Sequence, residues 1–358
     1  MTDATDLFLG LTPDAVLDAI EATGLRCGNV CLALNSFENR VYEIELRDRY
    51  DRHGDRLRVI AKFYRPNRWT EPQIRAEHAM LGALDAADIP VCNVFPLPNG
   101  DTLARAGHIH FCLFDRRGGR APEEITDTLA SRLGSLAARM HNVAADVDAS
   151  SRHDLTADRL DDALDWLLER DLVPENVRDR YEDAGREIAA ELDDRLDGVA
   201  IGPIHGDLHA GNLILRPVDL AADAPDALWM LDFDDMMRGP VVQDLWLLLP
   251  GRDPTTLLRR AHFLAGYERF RHFDRSSLRL IEPLRGYRYI TYARWLARRW
   301  HDPIFPLTWP QFGTDKWWRT ATDDLEDVLA HLDAPTVPDA TIDVTEGYDD
   351  TDYFWDQS

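Results

Sequence analysis

The sequence predicts an α+β protein with two lobes, a small N-terminal lobe built on an antiparallel sheet and a larger, mainly helical C-terminal lobe. Two observations lead to this fold class. Segments within residues 30–64 alternate or run apolar as strands do, with turn-like connections between them. From residue 126 onward, apolar residues recur at helical spacing through several long segments. A chain of 358 residues is long enough for two lobes with a sizeable core.

The composition restricts the partners and the compartment. A formal net charge of −24 argues against nucleic acid or an anionic membrane as the main partner, because both require a basic surface. The four cysteines show no C-x-x-C pairing, so we expect reduced thiols. The chain shows no signal-peptide pattern and no apolar run near the roughly 20 residues that span a bilayer. We expect a soluble cytoplasmic monomer that binds neither nucleic acid nor membrane.

In the first lobe, the periodicity predicts the elements one after another. A helix is predicted over residues 12–23, strands over 30–34, 40–46 and 57–64, a helix over 71–84, and strands near 93–96 and 108–114. Thr12 is suited to cap the first helix, with Pro13 in its first turn.

The third strand carries Lys62 with apolar residues on both sides, and Lys316 is the only other lysine in the chain. A compact ammonium at this place is suited to contact the phosphates of a nucleotide. The alternative is an edge-strand lysine that reaches solvent. In the helix that follows, Glu77 is predicted to pair with Lys62, and Glu71 is the competing candidate.

Two loops of the first lobe could contact a nucleotide. Residues 35–40, Asn-Ser-Phe-Glu-Asn-Arg, offer the Ser36 hydroxyl and backbone N–H groups to phosphate, although an ordinary hairpin turn explains the same residues. Residues 115–120 are rich in Gly and Arg and lie where the chain passes into the second lobe. This second loop is the predicted hinge, whose backbone would bind adenine.

In the second lobe, helices are predicted over residues 126–141, 160–169, 177–196, from 239, over 254–270 and over 276–300. Residues 285–295 are basic and aromatic, which permits a stack for nucleic acid bases. The net charge favours a packing helix that lines an acceptor groove instead. After residue 334 the composition becomes acidic and polar, which predicts a disordered tail.

The strongest pattern lies in residues 204–215 and 229–235. His205, Asp207, Asn212 and Asp232 have the order and spacing of the kinase pattern H-R-D-x-x-x-x-N followed by a later Asp. In that pattern the first Asp accepts the proton of the acceptor hydroxyl, while the Asn and the later Asp bind metal. Apolar residues 213–215 and 228–231 predict a hairpin that brings Asn212 and Asp232 to one end.

Several residues near this pattern leave alternatives open. His205 and His209 could be zinc ligands on a helix, but glycines weaken that helix and no further ligand completes the set. Asp234 and Asp235 could be solvated turn residues or could supply further oxygens to a metal. Asp244 could accept backbone N–H bonds from the catalytic loop or could only favour the first turn of its helix.

With residues 35–42, 62–66, 205–212 and 231–235 considered together, the chain resembles the bacterial stress response kinase A family. That family lies in the aminoglycoside-phosphotransferase-like branch of the protein-kinase-like fold. The resemblance runs from about residue 12 to about residue 330 and includes residues 239–240 and 243–246. The acidic tail falls outside it.

The resemblance implies a Ser/Thr protein kinase of the bacterial stress response, dependent on ATP and Mg²⁺ and located in the cytoplasm. Asp207 and Asp232 are the catalytic candidates, Asn212 and Asp232 the metal ligands, and Ser36, Lys62 and Glu77 the nucleotide-binding residues. Asp234 replaces the Gly of D-F-G and no A-P-E follows, so control by activation-loop phosphorylation is not expected.

The predicted lobes comprise residues 1–115 for nucleotide binding and 116–335 for catalysis and substrate, with the tail over 336–358. The predicted partner is a protein substrate bearing Ser or Thr. One alternative is a kinase for a small alcohol such as an aminoglycoside, choline or homoserine. The other is a nucleotide-binding regulator without catalytic activity.

Overall fold

The computed structural model describes Phe8 and residues 10–51, 53–216 and 227–338. These residues form two compact units. The first contains the described residues up to Pro122, Val147–Arg152 and the described part of Gly211–Asp234. The second contains Glu123–Asp146, His153–Ala210 and the described residues from Asp235 onward. The predicted tail lies almost entirely outside the described residues, and the predicted lobe boundaries stay a prediction.

The first unit is built on a six-stranded antiparallel sheet. Its strands are β1 (Cys27–Leu34), β2 (Arg40–Tyr50), β3 (Arg56–Phe63), β4 (Val94–Phe95), β5 (Ala104–Ala106) and β6 (Ile109–Asp115). The strand order is β1-β2-β3-β6-β4, and β5 also pairs with β6. All of the predicted strands are confirmed, whereas the three-residue strand β5 was not predicted.

Two helices accompany this sheet, α1 (Pro13–Glu21) and α2 (Glu71–Ala86). The predicted cap of α1 is confirmed, because the Thr12 hydroxyl accepts a hydrogen bond from the backbone N–H of Ala15. Val16 and Ile20, four residues apart on one face of α1, are fully buried in the core against the sheet. At the start of α2, the Gln73 side chain accepts a hydrogen bond from the backbone N–H of Thr70.

The second unit is mainly helical. Its helices are α3 (Asp127–Ala144), α4 (Ala157–Leu168), α5 (Glu175–Leu196), α6 (Val242–Leu248), α7 (Pro254–Glu268), α8 (Ile281–Arg299), α9 (Ile304–Thr308) and α10 (Asp315–Ala330). The predicted helix over 276–300 is shorter than expected, because Arg275–Leu280 forms a 3-10 helix before α8 begins. Helices α9 and α10 were not predicted.

Two short antiparallel pairs hold the segments that carry the motif. In the second unit, β7 (Gly202–Ile204) pairs with β10 (Met237–Gly239). In the first unit, β8 (Leu213–Arg216) pairs with β9 (Ala227–Met230), which confirms the predicted hairpin.

The predicted α+β architecture is confirmed, with a small antiparallel sheet in the first unit and a mostly helical remainder. A search of the described residues for a helix of membrane-spanning length and apolarity finds none.

Candidate functional site

Lys62 lies at the centre of a buried ionic cluster in the first unit. Its neighbours along β3, Ala61 and Phe63, face the hydrophobic core, so the two-residue period of the strand directs Lys62 to the opposite face. The Lys62 ammonium lies 3.2 Å from Glu77, 3.2 Å from Asp232 and 2.9 Å from Asp234. Burial lowers the pKa of Lys62, but these carboxylates outweigh burial and raise that pKa well above its usual value.

Glu77, on α2, is the helix carboxylate that pairs with Lys62. It is fully buried, and its second oxygen accepts a hydrogen bond of 3.1 Å from the Tyr64 hydroxyl. Burial raises the pKa of Glu77, while the charge of Lys62 opposes that shift. The competing candidate, Glu71, is exposed and pairs with Arg75 at 2.9 Å. The edge-strand alternative for Lys62 is wrong, because its side chain is buried and paired.

Asp234 belongs to the same cluster, although it was not among the predicted site residues. Only 3% of it is exposed, so its interpretation as a solvated turn residue is wrong. One carboxylate oxygen contacts Lys62, and the other lies 2.8 Å from the Arg68 guanidinium. The Arg152 guanidinium donates to the backbone carbonyl of Asp234. Burial alone would raise the pKa of Asp234, but Arg68 and Lys62 lower it well below its usual value.

The loop between β1 and β2 is tied to this cluster through Asn39. The Asn39 side chain donates a hydrogen bond of 3.3 Å to Asp234 and accepts one of 3.0 Å from the backbone N–H of Arg65. The Arg65 guanidinium in turn donates to the backbone carbonyls of Phe37 and Glu38. Ser36 is half-buried in this loop, and its contact with a nucleotide stays a prediction.

Asn212 and Asp232 flank the β8–β9 hairpin at the same end. The register pairs Leu213 with Met230, and the backbone N–H of Leu231 donates to the Asn212 carbonyl at 3.1 Å. Asn212 is buried, whereas 52% of the Asp232 side chain is exposed. Asp232 has a φ of 62°, in the left-handed region that a residue with a side chain rarely adopts. A residue held in this conformation is a candidate for function.

The hairpin end supplies oxygen donors that fit Mg²⁺. Three or more His, Cys, Asp or Glu side chains do not gather in a metal-sized group anywhere in the described ranges. Mg²⁺ does not require such a group, because it keeps several water ligands and often takes only one or two protein ligands beside substrate phosphates. An Asn amide and a half-exposed carboxylate satisfy that requirement.

The second unit holds the loop that follows β7. Asp244, in the first turn of α6, accepts hydrogen bonds of 2.9 Å from the backbone N–H groups of both His205 and Gly206. Its carboxylate also lies 3.0 Å from Nε2 of His141, and the Gln243 side chain donates to the Gly206 carbonyl at 3.1 Å. The loop-anchoring interpretation of Asp244 is therefore confirmed.

Glycine is required at the turn of this loop. Gly206 has a φ of 82°, a conformation that other residues rarely adopt. A Cβ atom added there would overlap the backbone carbonyl oxygen of Asp235. The chain can thus pass from β7 to Asp207 only with a residue that lacks a side chain.

Asp207 is mostly buried and held by two basic side chains of the second unit. One carboxylate oxygen lies 2.8 Å from the Arg288 guanidinium on α8, and the other lies 3.5 Å from Nε2 of His209. Burial would raise the pKa of Asp207, but the His209 hydrogen bond and the charge of Arg288 outweigh it and lower the pKa to about 2. At neutral pH the group is a carboxylate and can accept a proton.

The structure thus places Ser36, Lys62, Glu77, Asn212 and Asp232 in the first unit and Asp207 in the second. Within the first unit, Glu77 and Asp232 each contact Lys62 directly. The site residues that the sequence did not reveal are those that support this set: Arg68, His141, Arg152, Asp234, Gln243 and Arg288. Residues 243–246 carried a signal through the resemblance, and Arg288 lies in the basic segment 285–295 that was predicted to line an acceptor groove. Arg68 and Arg152 had no signal in a chain rich in arginine.

Known proteins with similar sequences are kinases. The chain is 33% identical over 345 residues to stress response kinase A of Escherichia coli (strain K12), covering 94% of this chain and 98% of that protein. It is 32% identical over 330 residues to a protein of Salmonella typhimurium (strain LT2) named serine/threonine protein kinase RdoA, covering 91% of this chain and 95% of that protein.

A solved structure shares the fold. The amicoumacin kinase hAmiN, in complex with AMP-PNP, Ca²⁺ and Ami, superposes with a TM-score of 0.63 at 19% identity, covering 86% of this chain and 90% of that one. The sequence model of the phosphotransferase enzyme family matches residues 31–281. Together with the similarity to the stress response kinase A proteins over nearly its whole length, this match shows that the chain belongs to the phosphotransferase enzyme family.

Proposed function

We propose that the protein is a Ser/Thr protein kinase that uses ATP and Mg²⁺ in the cytoplasm of a bacterium under stress. The observation that carries this proposal is the contact of Lys62 with both Glu77 and Asp232, at 3.2 Å each. A charged lysine fixed by a helix carboxylate and adjacent to a metal-binding Asp is the arrangement that protein kinases need for phosphoryl transfer. The names of the relatives, which include a serine/threonine protein kinase, support the same activity.

Each site residue then has a role. Lys62, oriented by Glu77, binds the phosphates of the nucleotide, and Ser36 contacts the nucleotide from the loop between β1 and β2. Asn212 and Asp232 would hold Mg²⁺, which when bound neutralises charge on the phosphates. Asp207 orients the acceptor hydroxyl and accepts its proton.

The environment of Asp207 fits this role. With a pKa of about 2, its carboxylate is ionised at neutral pH and is always ready to accept a hydrogen bond from the acceptor hydroxyl. Strong basicity is not needed, because the transition state of phosphoryl transfer is loose and positioning supplies most of the catalysis. Asp244 keeps the loop in place through its two backbone hydrogen bonds.

A second candidate is a kinase for a small alcohol. It is favoured by the fold shared with an amicoumacin kinase, which was solved with that compound. The third interpretation, a regulator without catalysis, is opposed by the presence of all four residues to which we assign phosphate, metal and acceptor binding: Lys62, Asp207, Asn212 and Asp232. Both alternatives can be separated from the proposed function by experiment.

The test is an assay with radiolabelled ATP and Mg²⁺ that compares generic protein acceptors with a panel of alcohols including aminoglycosides, choline and homoserine. The proposed function predicts label on Ser or Thr of a protein, and loss of that label when EDTA removes the metal. Label on an alcohol alone would establish the second candidate. No metal-dependent ATP turnover with any acceptor would establish the regulator.

A further inference from the structure

A guanidinium lies directly beside the carboxylate that we assign to the acceptor hydroxyl. Arg288 lies 2.8 Å from Asp207, and 39% of the Arg288 side chain is exposed. Nε2 of His209, which is also partly exposed, lies 3.5 Å from the other carboxylate oxygen of Asp207. A partly exposed guanidinium therefore lies next to Asp207, in a chain whose formal net charge is −24.

The helix that carries Arg288 is packed by aromatic side chains one to two turns further along. Tyr292, one turn after Arg288 on α8, stacks on Trp295 with ring centroids 5.5 Å apart. Trp295 in turn packs edge-on against Phe305 at 5.0 Å and Trp309 at 5.5 Å. This packing holds the helix backbone that carries Arg288, so the guanidinium is presented from a fixed element and not from a loop.

The Arg288 guanidinium has donors left for a second anion. An arginine carries five N–H donors in a planar fork, and one of its terminal nitrogens faces Asp207. The remaining donors match a carboxylate or a phosphate, which arginine binds in a bidentate manner. A cationic acceptor would be repelled at the same place, since a like charge would have to lie beside the guanidinium.

We propose that Arg288 selects acceptors in which a carboxylate or a phosphate lies close to the reacting hydroxyl. This inference rests on the proposed function and specifies its substrate class: a Ser or Thr flanked by acidic or phosphorylated residues. It also opposes the amino-alcohols and aminoglycosides of the second candidate, which are cations.

The test measures kcat/KM for three peptides that share one acceptor Ser, flanked by Asp, by phosphoserine or by Lys. The variants are Arg288→Glu, Arg288→Lys and Arg298→Glu. Arg298 is exposed on the same helix, so its reversal changes the net charge equally away from Asp207. Because each variant is judged by the ratio between its own peptides, a general loss of activity does not affect the result.

The wild-type protein should favour the anionic peptides over the Lys peptide by about 10- to 100-fold, as expected for a charge-assisted hydrogen bond. A larger preference for phosphoserine than for Asp would identify phosphate as the preferred anion. Arg288→Glu should reverse the order, Arg288→Lys should weaken it because lysine lacks the fork, and Arg298→Glu should leave it unchanged. An absent preference in the wild type, or an Arg288→Glu variant with the wild-type order, overturns the inference.

A failure of the proposed function can be distinguished from a failure of the Arg288 inference. If only small alcohols accept phosphate, the protein-kinase proposal fails, and the same comparison is made between glycerate and choline. The inference stands if glycerate is preferred and Arg288→Glu reverses that preference, and it is overturned if choline is preferred. If the wild-type protein phosphorylates no acceptor at all, both proposals are overturned.

Discussion

At the scale of single residues, the cluster around Lys62 combines charges that would each be costly to bury alone. A buried ion pair adds little net stability, because removing two charges from water costs about as much as their attraction returns. Losing one partner is different, since the other charge is left buried and uncompensated. Asp234 is the member whose loss matters most, because it compensates both Lys62 and Arg68.

We therefore expect Asp234→Asn to lower the free energy of unfolding by about 3 kcal/mol. The control is Asp323→Asn, which removes an exposed ion pair with Arg180 and should cost at most about 1 kcal/mol. Urea denaturation of the three proteins measures both values. If the two substitutions lower the free energy of unfolding equally, Asp234 does not stabilise the cluster around Lys62.

The same substitution has a defined pH dependence. Arg68 and Lys62 lower the pKa of Asp234 in the folded state. The stabilisation that the Asp234 carboxylate provides is therefore fully present above the pKa of an unfolded Asp, about 4. The contribution is lost as the pH falls below that value toward the lower folded pKa. The stability difference between the wild type and Asp234→Asn should thus be constant from pH 8 to about pH 5 and should shrink at lower pH. A difference that grows on acidification would contradict this assignment of charge.

Some of the site residues could be predicted from the sequence and others could not. Asp207, Asn212 and Asp232 were predicted because a motif fixes their order along the chain, and Lys62 was predicted because it lies in a strand between apolar residues. Arg68 and Arg152 reach Asp234 from distant positions through long side chains, and no local pattern marks them. Asp234 itself was visible as an acid, but its burial depends on those arginines and so could not be read from the sequence.

At the scale of elements, hydrophobic periodicity predicted the long helices except α10, and it predicted five of the six strands of the main sheet. Short elements were missed for a physical reason: β5, β7 and β10 have three residues each, too few for a period to show. The start of α8 was placed too early because a 3-10 helix precedes it and continues the same apolar pattern. Helix α10 had a visible cap at Thr314 and buried Leu325 and Val328 at helical spacing, so it could have been predicted.

The loop after β7 offers a matched test at this scale. Gly206 and Gly100 have φ values of 82° and 83°, but a Cβ atom would meet the Asp235 carbonyl only at Gly206 and nothing within 4 Å at Gly100. Backbone strain should cost about 1 kcal/mol in each alanine variant, and the overlap with the Asp235 carbonyl should make Gly206→Ala the less stable of the two. Only Gly206→Ala should also displace Asp207, lowering kcat by about 100-fold.

Thermal denaturation and steady-state kinetics on both variants separate the two effects. If Gly206→Ala and Gly100→Ala have the same kcat, the loop after β7 accommodates the added Cβ atom without loss of activity. The position of Asp207 would then not depend on the close approach at Gly206.

At the scale of the whole molecule, a formal net charge of −24 contrasts with the basic groups at the site. Such an excess of negative charge repels a nucleotide at long range, so binding must depend on Lys62 and on a divalent cation that neutralises the phosphates. Nucleotide binding should therefore be strongly metal-dependent, more so at low salt where charges are less screened.

We expect ATP with Mg²⁺ to raise the melting temperature by a few degrees, because a ligand that binds the folded state stabilises it. ATP with EDTA should give little increase. Asp232→Asn should lose the metal-dependent part of the increase, whereas Asp207→Asn should keep it. An undiminished increase in Asp232→Asn would remove that residue from the metal site.

The central claim is that Asp207 handles the acceptor hydroxyl while other residues bind the nucleotide. A single measurement addresses it directly: phosphoryl transfer from ATP to a protein acceptor by Asp207→Asn, with ATP affinity measured on the same preparation. The account predicts a fall in kcat of about 1,000-fold with unchanged ATP affinity. Transfer at the wild-type rate by Asp207→Asn would contradict it.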